Sequence, residues 1–250
     1  MTRMDLLLIA PELWVLTMTC VILFVDLFIK EERRGIIHLL AMITLIFAAI
    51  ITLRFDYRLG ESASALAFSG AFIRDQMGDM LKLFSYVVLA MVFVYAKFFL
   101  RQFRMFRSDF YTLTLEALLG IMLLISANNL IMVYLGLELL ALASYTLVAY
   151  DRDSRRGSEA AMKYFVLGSM ASGMLLYGMS MIYGATGTLD LGAIAEAVKV
   201  NGAVDIMLVF GLVFLIVGIA FKFGAVPFHM WLPDVYHGAR SPVTPYVASA

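Results

Sequence analysis

Seven apolar windows, at residues 6–29, 36–53, 80–99, 110–127, 129–149, 160–183 and 206–226, each approach the length of chain that crosses a bilayer. A helix rises 1.5 Å per residue, so about 20 apolar residues cover a hydrocarbon core of roughly 30 Å. The 250-residue chain is 62% hydrophobic and only 15% charged, whereas soluble domains carry about 25% charged residues. The pattern predicts an all-α, polytopic membrane protein of about seven transmembrane helices. The stretch from Leu6 is interrupted by Pro11 and Glu12, then runs on to Phe28 without a small-residue cleavage site. The first span is therefore expected to stay rather than act as a cleaved signal.

Composition also excludes function classes. The formal net charge is zero, so no bulk field favours nucleic acid. Cys20 is the only cysteine, which rules out an internal disulfide and any cysteine-held zinc or iron–sulfur site within the chain. The sequence holds no dinucleotide fingerprint, phosphate-binding loop, zinc-spaced histidine pair or nucleophile elbow.

The links between windows differ in charge. The first contains Lys30, Arg33 and Arg34, the third Lys97, Arg101, Arg104 and Arg107, and the fifth Arg152, Arg155 and Arg156. The turn at Ala127, Asn128 and Asn129 has no basic residue, and Gly184 to Asp205 has only Lys199. The positive-inside rule puts the odd links on the cytoplasmic side and the N-terminus on the periplasmic side. The second link, with Arg54, Arg58 and Arg74, opposes this mildly; the segment from Arg54 to Asp79 reads as a surface loop. The interleaving of Lys97 to Arg107 with Phe98, Phe99, Phe103 and Phe106 fits anionic headgroups or an acidic partner subunit. In the sixth window, Gly168/Ser172 and Ser169/Gly173 are small-residue pairs at four-residue spacing, where helix backbones can approach closely. Leu191, Ile194, Ala195 and Val198 fit a short amphipathic helix lying at the surface.

Ionisable residues in the apolar windows carry the functional signal. From Ile206 to Pro233 the only ionisable residues are Lys222 and His229, with Pro227 between them. An ammonium near the bilayer centre costs about 2.5–3.5 kcal/mol, so such residues mark ion or proton pathways by default. Pro227 lacks an N–H and is expected to free the carbonyl near Phe223, breaking the helix about one turn past Lys222. Glu138 is nearly central in its window, roughly 15 Å deep at 1.5 Å per residue. Tyr134 and Tyr145 share its face. Burial and a nearby carboxylate act on a lysine in opposite senses, so a Lys222 facing Glu138 would be switchable by moving the pair apart. The bland reading of the same residues is a fixed ion pair that pins the broken helix.

Other charges are less telling. Lys163 lies about one turn inside its window, where lysine stems commonly snorkel. His229 falls seven residues after Lys222; it suits proton relay near neutral pH and equally a hydrogen-bonded fixture at a helix end. Glu116, Asp26 and Glu12 read as interfacial or paired, and Asp234 as a helix-end or loop carboxylate.

The segment GIAFKFGAVPFHMWLPDVYHGARSPVT, residues 218–244, resembles the signature of the antiporter-like membrane subunits of respiratory complex I. YLGLELLALASYTLVAY (134–150) is similar to the glutamate helix of that family, and SEAAMKYFVLGSMASGMLLYG (158–178) to its following lysine helix. The likeness covers residues 108 to 250 well and the first hundred only by helix count. Two regions follow, 1–107 with three helices and their loops, and 108–250 as the start of the proton-channel repeat, its seventh helix discontinuous at Pro227.

The resemblance implies a channel of two inverted halves, the second beyond Ala250. It assigns Glu138 and Lys222 as the charge pair of the first half, Lys163 as the next lysine of the polar axis, and His229 to the broken helix. It implies no cofactor in this chain, with NADH, FMN, iron–sulfur clusters and quinone on partner subunits. The expected partners are other membrane subunits of complex I and the lipid bilayer, with no nucleic acid and no soluble ligand. The setting implied is a bacterial inner membrane, or the mitochondrial inner membrane if organellar. Glu116 stands where that family pattern leads one to expect a neutral residue.

The leading reading is thus a non-redox, proton-translocating subunit of NADH:quinone oxidoreductase. A subunit of a multi-subunit sodium/proton antiporter shares the helix design and would show sodium-dependent transport without NADH or quinone. A structural scaffold would lose assembly or stability on Glu138→Gln while the surviving complex kept its proton-to-electron ratio.

Overall fold

The computed structural model describes residues 3–29, 34–59, 64–103, 105–201 and 205–249. Lys30, Arg33, Arg104 and Ala250, which entered the reasoning above, lie outside them. The described helices are α1 (Arg3–Leu8), α2 (Ala10–Asp26), α3 (Gly35–Leu59), α4 (Gln76–Gln102), α5 (Ser108–Ile125), α6 (Leu130–Val148), α7 (Arg155–Thr186), α8 (Leu191–Asn201), α9 (Ile206–Lys222), α10 (Trp231–Gly238) and α11 (Val243–Ser249). Among the described residues, α3, α4, α5, α6 and α7 hold segments long and apolar enough to cross a membrane, while α9, at 17 residues, is shorter. Helix α2 also has 17 residues, but Ile9 N–H donates to Asp5 and Leu13 N–H to Ile9, so helical bonding runs on from α1 past Pro11. Large apolar side chains such as Phe24, Phe84 and Val213 point outward, as lipid-facing surfaces require.

The chain is a multi-pass helical membrane protein with one addition to the all-α expectation. The described parts of the Arg54–Asp79 segment are not a surface loop: α3 runs on to Leu59 and a hairpin follows from Ser64. Strands β1 (Ser64–Ala67) and β2 (Phe72–Asp75) pair antiparallel with Ser64 opposite Asp75, and β2 leads straight into α4. Phe72, Arg74 and Asp79 are buried. The segment looked solvated because its charges were counted singly; Arg74 and Asp79 neutralise each other inside the protein, with Nε–Oδ2 at 3.0 Å.

The links divide between the two ends of the bundle as their charge suggested. At one end, Arg34 donates to the Phe106 carbonyl, Tyr150 Oη to that of Met105, and Arg240 to Asp151. At the other end the hairpin, the α5–α6 link and the α7–α8 link are sewn together. Ile73 N–H donates to Ser126, Asn128 N–H to Ala71, Leu130 N–H to Leu189 and Leu191 N–H to Asn128. Asn128 Nδ2 adds bonds to the Gly70 carbonyl and to Asp190. Loop charges govern the positive-inside count, so the buried Arg74 drops out of it.

Helix α5 sits at the centre, against α2, α3, α4 and α6, and α7 joins α6 to α9 and α10. Backbones meet where side chains vanish. A Cβ on Gly120 would stand 2.8 Å from the Gly136 carbonyl, fixing the α5–α6 crossing, and one on Gly178 would stand 2.7 Å from that of Gly211, fixing α7–α9. The small-residue pairs read from sequence behave differently. Gly168 receives the Tyr145 ring, while a Cβ on Gly173 would meet nothing within 4 Å. Helix α8 forms as expected, with Ile194 and Val198 packed over the cluster around Leu130 and Leu175.

Candidate functional site: a buried glutamate–lysine pair beside a broken helix

Helix α9 stops at Lys222. Gly224 adopts φ +63°, a left-handed value favourable for glycine. Gly224 N–H donates to Phe221 and Ala225 N–H to Ala220, the pair of bonds that defines a Schellman stop. The termination is therefore made at Gly224, three residues before Pro227, whose bond to Val226 is cis. Trp231, at the start of α10, donates its indole N–H to the Phe221 carbonyl at 3.1 Å. These bonds supply protein partners to carbonyls that a broken helix would otherwise leave bare in lipid.

Ending the helix at Lys222 leaves its side chain free to reach back toward α6 and α7. Lys222 Nζ lies 3.4 Å from Glu138 Oε1 and 3.1 Å from Ser172 Oγ. Ser172 in turn donates to Glu138 Oε1, so acid, hydroxyl and amine form a closed triangle across three helices. The Tyr145 ring lies 5.9 Å from Nζ. The side chains are only partly shielded, with Glu138 21% and Lys222 14% exposed. Lys222 also borders a cavity of about 240 Å³ that reaches Ser144, Tyr164, Ile219 and Leu232.

An aromatic series links this triangle to α10. Tyr145 meets Tyr164 edge-on at 4.5 Å, and Tyr164 stacks on Trp231 at 4.5 Å with an interplanar angle of 10°. Offset stacking of this kind holds rings in register, so α10 is docked on the same side chains that wall Lys222.

Glu138 and Lys222 thus meet. Lys163 does not join them: its Nζ sits 3.0 Å from Glu159 and 3.1 Å from Asp234, with 47% of its side chain exposed. Asp234, read as a helix-end carboxylate, is in the first turn of α10, so the lysine tethers α7 to α10. His229 is exposed in the turn between α9 and α10. Glu116 is half-buried on α5. Among the described residues, no group of three or more histidine, cysteine, aspartate and glutamate side chains could hold a metal ion.

Two features escaped the sequence. Ser172 was legible only as a small packing residue, because nothing in a sequence says which wall of α7 will face an acid and an amine. Lys82, inside the third apolar window, forms a 2.7 Å ion pair with Glu12, and both side chains are buried. Its signal was the intramembrane charge itself, the same that singled out Lys222. Asp26 is paired through its acceptance of the Ser108 hydroxyl at 2.5 Å.

The fold and the charged pair define a class, an antiporter-like membrane subunit, and comparison with known proteins agrees. Residues 127–250 match the family described as NADH:quinone oxidoreductase/Mrp antiporter, TM, and this part of the chain belongs to it. More particularly, it is 48% identical over 247 residues to NADH-quinone oxidoreductase subunit N of Thioalkalivibrio sulfidiphilus, covering 98% of this chain and 51% of that protein. It is 50% identical to subunit N of Thiobacillus denitrificans, covering 96% and 49%. The chain spans about half the length of the curated relatives it matches. A chain in the structure of respiratory complex I from Thermus thermophilus with bound aureothin superposes with TM-score 0.76 at 28% identity, covering 96% of this chain and 51% of that one. A chain of an archaeal membrane-bound sulfane sulfur reductase shares the fold, with TM-score 0.77 at 23% identity, covering 97% and 49%.

Proposed function

We propose that the chain is part of a membrane-arm subunit of a bacterial inner-membrane NADH:quinone oxidoreductase and moves protons while partner subunits oxidise NADH and reduce quinone. The observation that carries this reading is the Glu138–Ser172–Lys222 triangle, which sets opposite charges 3.4 Å apart at the break of a membrane helix. A change in distance or hydration between the two alters how tightly the lysine holds its proton. Ser172, touching both, is placed to pass a proton between them. The cavity beside Lys222 offers room for water on the α10 side. Lys163 and His229 are the onward members of the proposed axis, and Lys163 must leave Glu159 and Asp234 to take part. The odd links face the cytoplasm and the N-terminus the periplasm in this reading, and NADH, FMN, iron–sulfur clusters and quinone belong to other subunits.

The test is Glu138→Gln and Lys222→Ala in the assembled enzyme, with protons pumped per quinone reduced as the readout. Loss of pumping is expected in both; normal pumping in both removes the pair from the mechanism. The family description also names Mrp antiporters, so a subunit of a multi-subunit sodium/proton antiporter is the second reading. Sodium-dependent transport without NADH or quinone would select it.

A further inference from the structure

Away from that site, four formal charges are shut together beneath the β1–β2 hairpin. Glu12 on α2 faces Lys82 on α4 at 2.7 Å, and Arg74 on β2 faces Asp79 on α4 at 3.0 Å, all four buried. Arg74 is the tie: besides both oxygens of Asp79, its guanidinium donates to the carbonyls of Leu8 and Thr52 at 3.2 Å each, joining β2 to α4, α1 and α3. Lys82 Nζ lies 5.2 Å from the centre of the Phe72 ring, on the same strand. The adjacent residues of that strand and its turn hold the α5–α6 link, through Ile73 to Ser126 and Asn128 to Ala71. The link is short and ends in Asn129, which caps α6 by accepting from Ile131 N–H at 2.9 Å. Glu138 follows nine residues on, and a helix carries any axial shift of its first turn to that depth.

We propose that this quartet is a positioning device for the glutamate helix, fixing the hairpin so that the hairpin fixes the start of α6 and thereby the reach of Glu138 to Lys222. The inference rests on the proton-carrying role proposed for Glu138. A guanidinium bonded to α1 and α3 through carbonyls and to α4 through a carboxylate has no freedom to drift, because any displacement strips a buried charge of its partners. The hairpin inherits that rigidity, and the link inherits it from the hairpin.

The experiment uses the full-length subunit in its assembled complex in inner-membrane vesicles. Arg74→Met/Asp79→Leu removes both members of the ion pair together, and Asp79→Asn serves as a milder second variant. Amide exchange at Ile73, Asn128 and Leu130 is measured beside the pH profile of proton pumping, with quinone reduction as the control. The expected result is exchange about tenfold faster at those amides and a pumping profile displaced by about one pH unit, with quinone reduction retained. Unchanged exchange, faster exchange with an unmoved profile, or failure of both variants to assemble each overturns the proposal, since a packing role alone predicts any of these. Failure of the underlying reading looks different: Glu138→Gln then pumps normally whatever the quartet variants do.

Discussion

Two acid–lysine pairs among the described residues of the apolar helices are built to opposite specifications. Glu12 and Lys82 are 2.7 Å apart with exposures of 2% and 0%, set among packed side chains and a second ion pair. Glu138 and Lys222 are 3.4 Å apart with exposures of 21% and 14%, beside a cavity and at the end of a severed helix. The first pair joins α2 to α4 under the hairpin; the second has open space on one side and a hydroxyl touching both members. Identical residue types therefore serve as a rivet in one place and are suited to a switch in the other. What distinguishes them is enclosure, and an ionisable residue inside an apolar window does not announce which it will be.

The largest effect should come from breaking the enclosed pair on one side only. Lys82→Met removes the ammonium that faces Glu12, and we expect about 3–5 kcal/mol of destabilisation, whereas Glu12→Leu/Lys82→Met should recover most of it. Thermal unfolding of the detergent-extracted complex reads both. If the single variant melts like the parent, the contrast between the pairs is false. An intermediate effect is expected from Ser172→Ala, which deletes the hydroxyl touching both members of the open pair. Hydrogen bonds to charged groups contribute about 1.5–3 kcal/mol, so proton pumping should slow by about tenfold or more if that interaction is lost along the transfer path. Pumping rate in reconstituted vesicles measures this, and an unaltered rate would mean that the triangle is only packing. The smallest effect belongs to Asp234→Asn, which unties Lys163 from α10 where both partners are about half exposed. Exposed ion pairs contribute little, being screened by solvent, so the melting temperature should barely move; a large drop would place Lys163 among the structural pairs.

The helical fold was legible because apolar length alone decides it in lipid. The windows at 110–127 and 129–149 fall within two residues of α5 and α6 at each end. The hairpin was not legible, since Arg74 and Asp79 read as solvated until a partner five residues away cancels them. Glu138 and Lys222 were each singled out by standing inside an apolar window, but it was the family resemblance, not position, that paired them; the structure sets them 3.4 Å apart. The bridging role of Ser172 could not be read, because it depends on how far α7 is rotated about its axis, which Gly178 and Gly211 set by letting α7 and α9 touch. Lys163 shows the converse: a lysine one turn inside a window did turn outward, but toward two carboxylates rather than open water.

The Schellman stop at Gly224 bears on where water goes. A severed helix in hydrocarbon ordinarily draws solvent to its bare carbonyls. Here the oxygens of Ile219, Ala220 and Phe221 are already claimed by the amides of Phe223, Ala225 and Gly224, with the Trp231 indole on Phe221 as well. Those three oxygens are thus closed to solvent, and moisture that reaches the neighbouring void is left to answer to the ammonium and the groups that hold it.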